Sequence, residues 1–268
     1  MLLWELRQGD SPLIVDVPHT GTHIPDAIAL RLTDAALGVP DTDWHVEKLY
    51  AFVGVTGATL LAATHSRYVV DLNRDPTGAS LYPGADNTEL CPTRTFDDRP
   101  IYASAPPSER EIEARRRTYF DPYHARLAAE IERVRVRHGF ALLLDGHSIR
   151  AEVPRFFAGR LPDLNLGTAD GRSCHNEIEA LGTAVLGETR GFSHVVNGRF
   201  QGGYVTRHFG QPARGVHALQ LEIAQDCYMD EAAPSVYDPA RAQPLSIVLE
   251  RLVIALSEWR PVHTRANR

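Results

Sequence analysis

The chain has 268 residues, 43% of them hydrophobic, and sets 28 basic against 34 acidic side chains for a formal net charge of -6. That length can bury one large core with no composition break to divide it, and the acidic balance argues against a nucleic-acid-binding surface. No run of about 18 apolar residues occurs, so a membrane span is not expected, and the opening Met1-Leu2-Leu3-Trp4-Glu5-Leu6-Arg7 lacks the pattern of a cleaved signal. Three widely spaced cysteines, Cys91, Cys174 and Cys227, fit neither a disulfide framework nor a thiolate zinc site. The expectation is a single cytoplasmic domain over residues 1–268.

In chain order, residues 13–17 read as a first strand, and Asp41-Thr42-Asp43 caps a helix in which Trp44, Lys48, Leu49 and Phe52 recur at helical spacing. Ala58 to Ala63 and Arg67 to Leu72 read as two further strands. Residues 77–107, rich in Pro, Gly and Asp, form a long loop of the kind that is usually functional or disordered. Glu109 to His138 is the clearest helix, with Pro122 expected to kink or divide it. Phe140 to Leu144 then forms a buried strand, and the polar Asp145-Gly146-His147-Ser148 follows as a loop. Glu152 to Cys174 reads as loop, Asn176 to Leu186 as a helix, and Val195 to Arg207 as turns. Gly215 to Ile223 is a strand that carries an acid, and Leu245 to Leu256 makes a closing helix. Strands alternating with helices imply a three-layer α/β fold.

Two strands deliver a histidine to one sheet edge: Leu13-Ile14-Val15-Asp16-Val17-Pro18-His19 and Leu142-Leu143-Leu144-Asp145-Gly146-His147. In open α/β sheets the carboxyl edge is where ligands bind, and neutral imidazole suits zinc and similar ions. A lone histidine is most often a loop-tip residue bonded to backbone; two at equivalent positions point to a ligand pair. A hydrolytic zinc site wants a third protein ligand and one open position, and Asp43 and His45 are the nearest candidates. Glu222 alternates with Leu219 and Leu221 on a buried strand, where a carboxylate is rare unless paired or liganded. It is either a general base or half of a structural ion pair. Arg67, Arg74, Arg94, Arg199 and Arg207 lie in segments facing the same edge. Lys48 is the sole lysine, so arginine usage carries less information here than usual. Asn73-Arg74 is the most suggestive pair, one side chain offering an amide and the other a fork for a carboxylate. Gly202-Gly203 either makes a turn or admits a substrate close to the backbone. Ser148 is in no nucleophile elbow, no phosphate loop or dinucleotide fingerprint occurs, and Cys227 reads as an inert thiol.

From about Pro12 to Glu231 the chain resembles the N-formylglutamate deformylases (N-formylglutamate amidohydrolases). The matching segments are Val17-Pro18-His19-Thr20-Gly21, Ser66-Arg67-Tyr68-Val69-Val70-Asp71-Leu72-Asn73-Arg74, Asp145-Gly146-His147-Ser148-Ile149-Arg150, Pro154-Arg155-Phe156-Phe157, Asp163-Leu164-Asn165-Leu166-Gly167, Asn197-Gly198-Arg199-Phe200, Gly202-Gly203-Tyr204 and Gln220-Leu221-Glu222. That family is distantly similar to zinc carboxypeptidases. The wider resemblance implies a mixed, mostly parallel central sheet with helices on both faces, of the phosphorylase/hydrolase-like kind. It also implies one divalent metal ion, expected to be zinc, in a His-carboxylate-His site, an Asn-Arg pair on the substrate carboxylate, and a strand glutamate as base. Carried over, His19 and His147 are metal ligands, Asn73 and Arg74 grip the α-carboxylate, and Glu222 is the base. Carboxypeptidases place a glutamate three residues after the first histidine, where this chain has Thr22. Asp43 is therefore assigned as the second ligand, with His45 in reserve.

The implied reaction is metal-dependent hydrolysis of the dicarboxylate N-formyl-L-glutamate to formate and L-glutamate, in histidine degradation. Arg67 is expected to stabilise the oxyanion, and Arg199 or Arg207 to hold the side-chain carboxylate. The alternatives are a deacylase for another N-acyl amino acid and a non-catalytic carboxylate-binding protein on the same scaffold.

Overall fold

The computed structural model describes residues 1–80 and 86–261, so residues 81–85 of the expected long loop lie outside the described residues. In chain order the strands are β1 (Trp4–Arg7), β2 (Leu13–Val17), β3 (Thr59–Ala63), β4 (Ala141–Ile149), β5 (Leu164–Gly167), β6 (His194–Val196) and β7 (Val216–Ala224). The helices are α1 (Asp26–Ala29), α2 (Asp34–Leu37), α3 (Val46–Leu49), α4 (Val53–Thr56), α5 (Glu109–Arg115), α6 (Asp121–His138), α7 (Asn176–Gly187), α8 (Tyr204–Phe209) and α9 (Pro239–Glu258). Among the described residues no helix is long and apolar enough to cross a membrane.

β2, β4 and β7 are buried at every position, the property of strands covered on both faces. They form the centre of one mixed sheet of order β1-β3-β2-β4-β7-β5-β6. β3, β2, β4 and β7 run parallel, whereas β1 is antiparallel to β3 and β5 to β7. On one face α3, α4, α7 and α9 bring Leu49, Val53, Ile178, Leu249 and Val253 onto Leu13, Val15, Leu142, Leu144 and Leu219. On the other, α6 and α8 bring Tyr123, Leu127, Val134 and Val205 onto Ile14, Leu143 and Ala218. The expected α/β sheet with helices on both faces is thus the observed architecture. β3 and β4 flank β2 on opposite sides, so the chain leaves β2 and enters β4 at a switch point, where a crevice opens beyond the carboxyl ends.

Several elements differ from the sequence expectation, each for a local reason. The helix expected after Asp41-Thr42 begins only at α3, because His45 takes a left-handed φ of 63°, a conformation uncommon outside glycine. Residues 67–72 form a buried turn and not a strand. The Asp71 N–H donates to Leu90 O at 2.7 Å, and the carbonyls of Tyr68 and Val69 each accept from Arg115 Nη1 at 3.3 Å. A loop carbonyl and an arginine side chain satisfy that backbone where a ladder would have done so. Pro122 sits in the first turn of α6 and follows one π turn at Arg116–Phe120, a wider turn that absorbs its missing N–H. The helical path therefore continues from α5 through α6. β4 does not stop at Leu144; it pairs with β7 to Ile149 and places His147 opposite Glu222. Short β5 lies within the expected loop 152–174, and β6 and α8 overlap the expected turn region. The closing helix starts early at Pro239, where Asp238 accepts from the N–H groups of Ala240 and Arg241 at 3.0 and 3.2 Å.

Two histidines inside this frame are held neutral. Burial pushes His124 and His217 down from 6.5 to about 4, the nearby His175 adding to the effect at His217. The unfolded chain then binds more protons than the folded one between those values, so stability is lost as pH falls from about 6.5 through about 4. Urea unfolding followed across that window should show the loss, and His217→Gln should make the fall less steep.

Candidate active site

The crevice at the carboxyl ends of β2, β4 and β7 is lined by His19, Asp43, Arg67, Arg74, His147 and Glu222, with Asn73, Arg199 and Gln220 also on its wall. His19 enters just beyond β2 and His147 from within β4. The approach is close: a Cβ on Gly21 would fall 2.3 Å from the carbonyl carbon of Thr64, so the turn after His19 needs glycine against the segment that follows β3. Asp43 reaches the same point from the segment before α3. Its N–H donates to His19 O at 3.1 Å. The carbonyls flanking it are tied to the segment after β7, Thr42 O by Gln225 Nε2 at 2.9 Å and Trp44 O by the Tyr228 hydroxyl at 2.7 Å.

His19, Asp43 and His147 are each 2% exposed, and one ligand atom of each lies within 4.8 Å of the others. Asp43 Oδ2 is 2.8 Å from His147 Nδ1 and 3.7 Å from His19 Nδ1. The far edges of the rings face two more buried carboxylates, His19 Nε2 against Asp71 Oδ1 at 2.7 Å and His147 Nε2 against Asp145 Oδ1 at 2.9 Å. Carboxylates behind imidazoles in this way orient the inner nitrogens and raise their basicity toward a metal. His19 Nδ1 is buried with no hydrogen-bond partner, an orphaned donor-acceptor atom aimed at Asp43. Two imidazole nitrogens and a carboxylate are a donor set that suits zinc, and the residues present fit such an ion.

The electrostatics follow from burial and pairing. Burial alone would raise the Asp43 carboxyl, but the imidazoles of His147 and His19 hold it well below the ordinary carboxylate range. Asp71 is likewise held low against its burial, by Arg74, His19 and Arg67. His147, though buried, is pushed well above its usual value by Asp145 and Asp43. Burial moves Glu222 the other way, up to about 8, with the neighbouring Asp43 reinforcing it and His147 opposing.

The remaining expected residues divide. Arg67 is pinned, with Nη2 on Asp71 at 2.7 Å, Nη1 3.4 Å from Asp43, and its guanidinium 4.9 Å from the Phe96 ring centre. Arg74 is oriented by Thr88 O and Oγ1 and by Asn73 O. Arg199 reaches the wall with Nε on Phe156 O at 2.8 Å. Asn73 spends its carboxamide on protein partners: Oδ1 accepts from the Val205 N–H at 2.8 Å, and Nδ2 is 2.8 Å from His147 Nε2. Arg207 is outside the lining, its Nε donating to Gly202 O, and Arg94 pairs with Asp98 near the surface. The reserve ligand His45 is corrected outright. Its left-handed backbone turns the ring away to donate from Nε2 to Pro234 O at 2.8 Å and to lie by Tyr237. Sequence reasoning missed Asp71 and Asp145 behind the histidines. The rule that singled out Glu222, a carboxylate among buried apolar neighbours, applies equally to both.

Residues 11–229 match the family model described as N-formylglutamate amidohydrolase. The chain belongs to the N-formylglutamate amidohydrolase family. It is 44% identical over 254 residues to an N-formylglutamate deformylase of Pseudomonas putida, which spans 94% of this chain and 95% of that protein. It is 45% identical, over the same shares, to an N-formylglutamate deformylase of Pseudomonas aeruginosa. A crystal structure of an N-formylglutamate amidohydrolase from Ralstonia eutropha JMP134 superposes with a TM-score of 0.81 at 28% identity, covering 96% of this chain and 98% of that one. A second solved structure, from Agrobacterium tumefaciens, shares the fold at a TM-score of 0.71 and 19% identity, covering 95% and 94% of the two chains.

Within this member of the amidohydrolase family Gly203 leaves no room for a side chain beside Asn73, since a Cβ there would fall 2.3 Å from Nδ2. Gly203→Ala should displace Asn73, cost about 1–3 kcal/mol as an overpacked site and depress turnover. Thermal unfolding alongside steady-state kinetics checks both effects.

Proposed function

We infer that this protein hydrolyses N-formyl-L-glutamate to formate and L-glutamate, and we propose that it does so with a divalent metal ion, zinc suiting the donor set best. The observation that carries the reading is the register of β4 and β7, which sets Glu222 directly opposite His147 on the wall of the cavity that gathers His19 and Asp43. His19 through Nδ1, Asp43 and His147 through Nδ1 would hold the ion. When bound there, such an ion supplies Lewis acidity, polarising a carbonyl and making water more acidic.

The chain's own groups supply the rest. Arg74, fixed by Thr88 and Asn73 O, holds the substrate α-carboxylate, with Arg199 the candidate for the side-chain carboxylate. Asn73, expected on the substrate, orders α8 through the Val205 N–H and donates from Nδ2 to the Asp145 carboxylate behind His147. Glu222 removes the proton of the water as that water attacks the formyl carbon. The same carboxyl then delivers the proton to the amide nitrogen, so the C–N bond breaks and glutamate leaves as an amine. A carboxyl raised to about 8 by burial is matched to accept and return a proton near neutral pH. Arg67, already pinned between two aspartates, contributes fixed positive charge toward the oxyanion, where preorganised charge is often the largest catalytic factor. We place the reaction in the cytoplasm, as the last step of a histidine degradation route.

Formate release from N-formyl-L-glutamate tests the reading. Turnover should vanish after chelation and return with Zn²⁺. Glu222→Gln should retain metal and lose about 10²- to 10⁴-fold in kcat, the usual worth of a general base; full activity in that variant would rule Glu222 out. Asp71→Asn, which removes the carboxylate behind His19, should weaken metal binding by about 10- to 100-fold, read by competition with a chromogenic chelator. Arg74→Lys should act mainly on KM, since a point charge replaces a fork.

A further inference from the structure

Gln220 has no part in the chemistry above, yet it is only 3% exposed and sits on the cavity wall. Residues two apart on a strand share a face, so Gln220 and Glu222 project together from β7, opposite Asp145 and His147 of β4. The Gln220 carboxamide makes two contacts. Oε1 accepts from the Gly203 N–H at 2.7 Å, and Nε2 donates to Glu222 Oε2 at 3.2 Å. These contacts interlock, because a backbone N–H can only donate. The Gly203 N–H compels the amide to present its oxygen, and the NH2 group is thereby fixed toward Glu222.

We propose that Gln220 is a positioning residue that sets the orientation of the Glu222 carboxylate; this rests on the reading of Glu222 as the base. A glutamate carboxylate turns broadly about its last torsion, so a base on so long a side chain needs an outside donor to hold it where it meets the water. Gln220 supplies that donor from the same strand. It also joins the base to the Gly202-Gly203 turn, which is in turn joined to Asn73 by the Val205 N–H. One buried amide thus ties the catalytic carboxylate to the segment that precedes Arg74, and a displacement of either is felt by the other.

The test separates the two contacts. Gln220→Leu removes both, whereas Gln220→Glu keeps an oxygen for Gly203 but turns a second carboxyl toward Glu222. Each is measured in the metal-loaded enzyme with N-formyl-L-glutamate, in the wild-type and Glu222→Gln backgrounds. Both Gln220 variants should lose about 10- to 100-fold in kcat, the scale of a small misplacement of a reacting group, with KM changed less than about threefold. In the Glu222→Gln background neither should add more than about a twofold loss, because groups acting through one another are non-additive. Near wild-type kcat in Gln220→Glu would overturn the proposal by leaving only the Gly203 contact, and so would full additivity with Glu222→Gln. Full activity in Glu222→Gln alone would instead overturn the assignment of the base. An inactive Glu222→Gln beside active Gln220 variants would overturn the positioning role alone.

Discussion

Asp43, Asp71 and Asp145 are all but sealed from solvent, and each is held by an imidazole, a guanidinium or both. Placing several carboxylates in a protein interior is costly unless every one is paired and hydrogen-bonded. That condition orders the cavity floor. Arg67 serves two of the aspartates at once, so the segments carrying Asp43 and Asp71 are locked to each other as well as to the histidines. No member can move far without leaving a buried charge alone, and the two rings are held with their inner nitrogens toward Asp43.

The sheet supplies the second constraint. His147 and Glu222 face each other because β4 and β7 pair over nine residues without a break. A slip of either strand by a single residue would turn its own side chain to the opposite face, away from its partner. Burial on both faces of these strands makes such a slip expensive, so the apolar residues that build the core also fix the spacing of His147 and Glu222.

Much of this was legible beforehand, and the exceptions share a cause. β2, β4, β7 and the long helical segment from 109 to 138 announce themselves by predominantly apolar runs or by helical spacing. The residues of 67–72 have the composition of a strand, but Arg115 and Leu90 satisfy their backbone, and those partners lie far along the chain. β5, β6 and α8 are short and derive their order from neighbours, so local pattern carries little trace of them. In the site, His19, His147 and Glu222 stand out as polar groups at the ends of, or within, buried strands. Asp43 and His45 are indistinguishable by spacing; the left-handed turn at His45 separates them. Asp71, Asp145 and Gln220 act on other side chains: burial among apolar neighbours marks the two aspartates, but no local pattern says which side chain each one meets.

Arg115, the last residue of α5, gives one guanidinium to Tyr68 O, Val69 O, the Tyr102 hydroxyl and Glu111. The turn bearing Arg67 and Asp71 is therefore moored to a peripheral helix by a side chain and not by a sheet. A lysine could keep the charge there but not the flat, multidirectional fork. The floor of the cavity is in that sense held from a distance: the placement of Arg67 and Asp71 depends on α5, a helix that contributes no residue to the cavity wall.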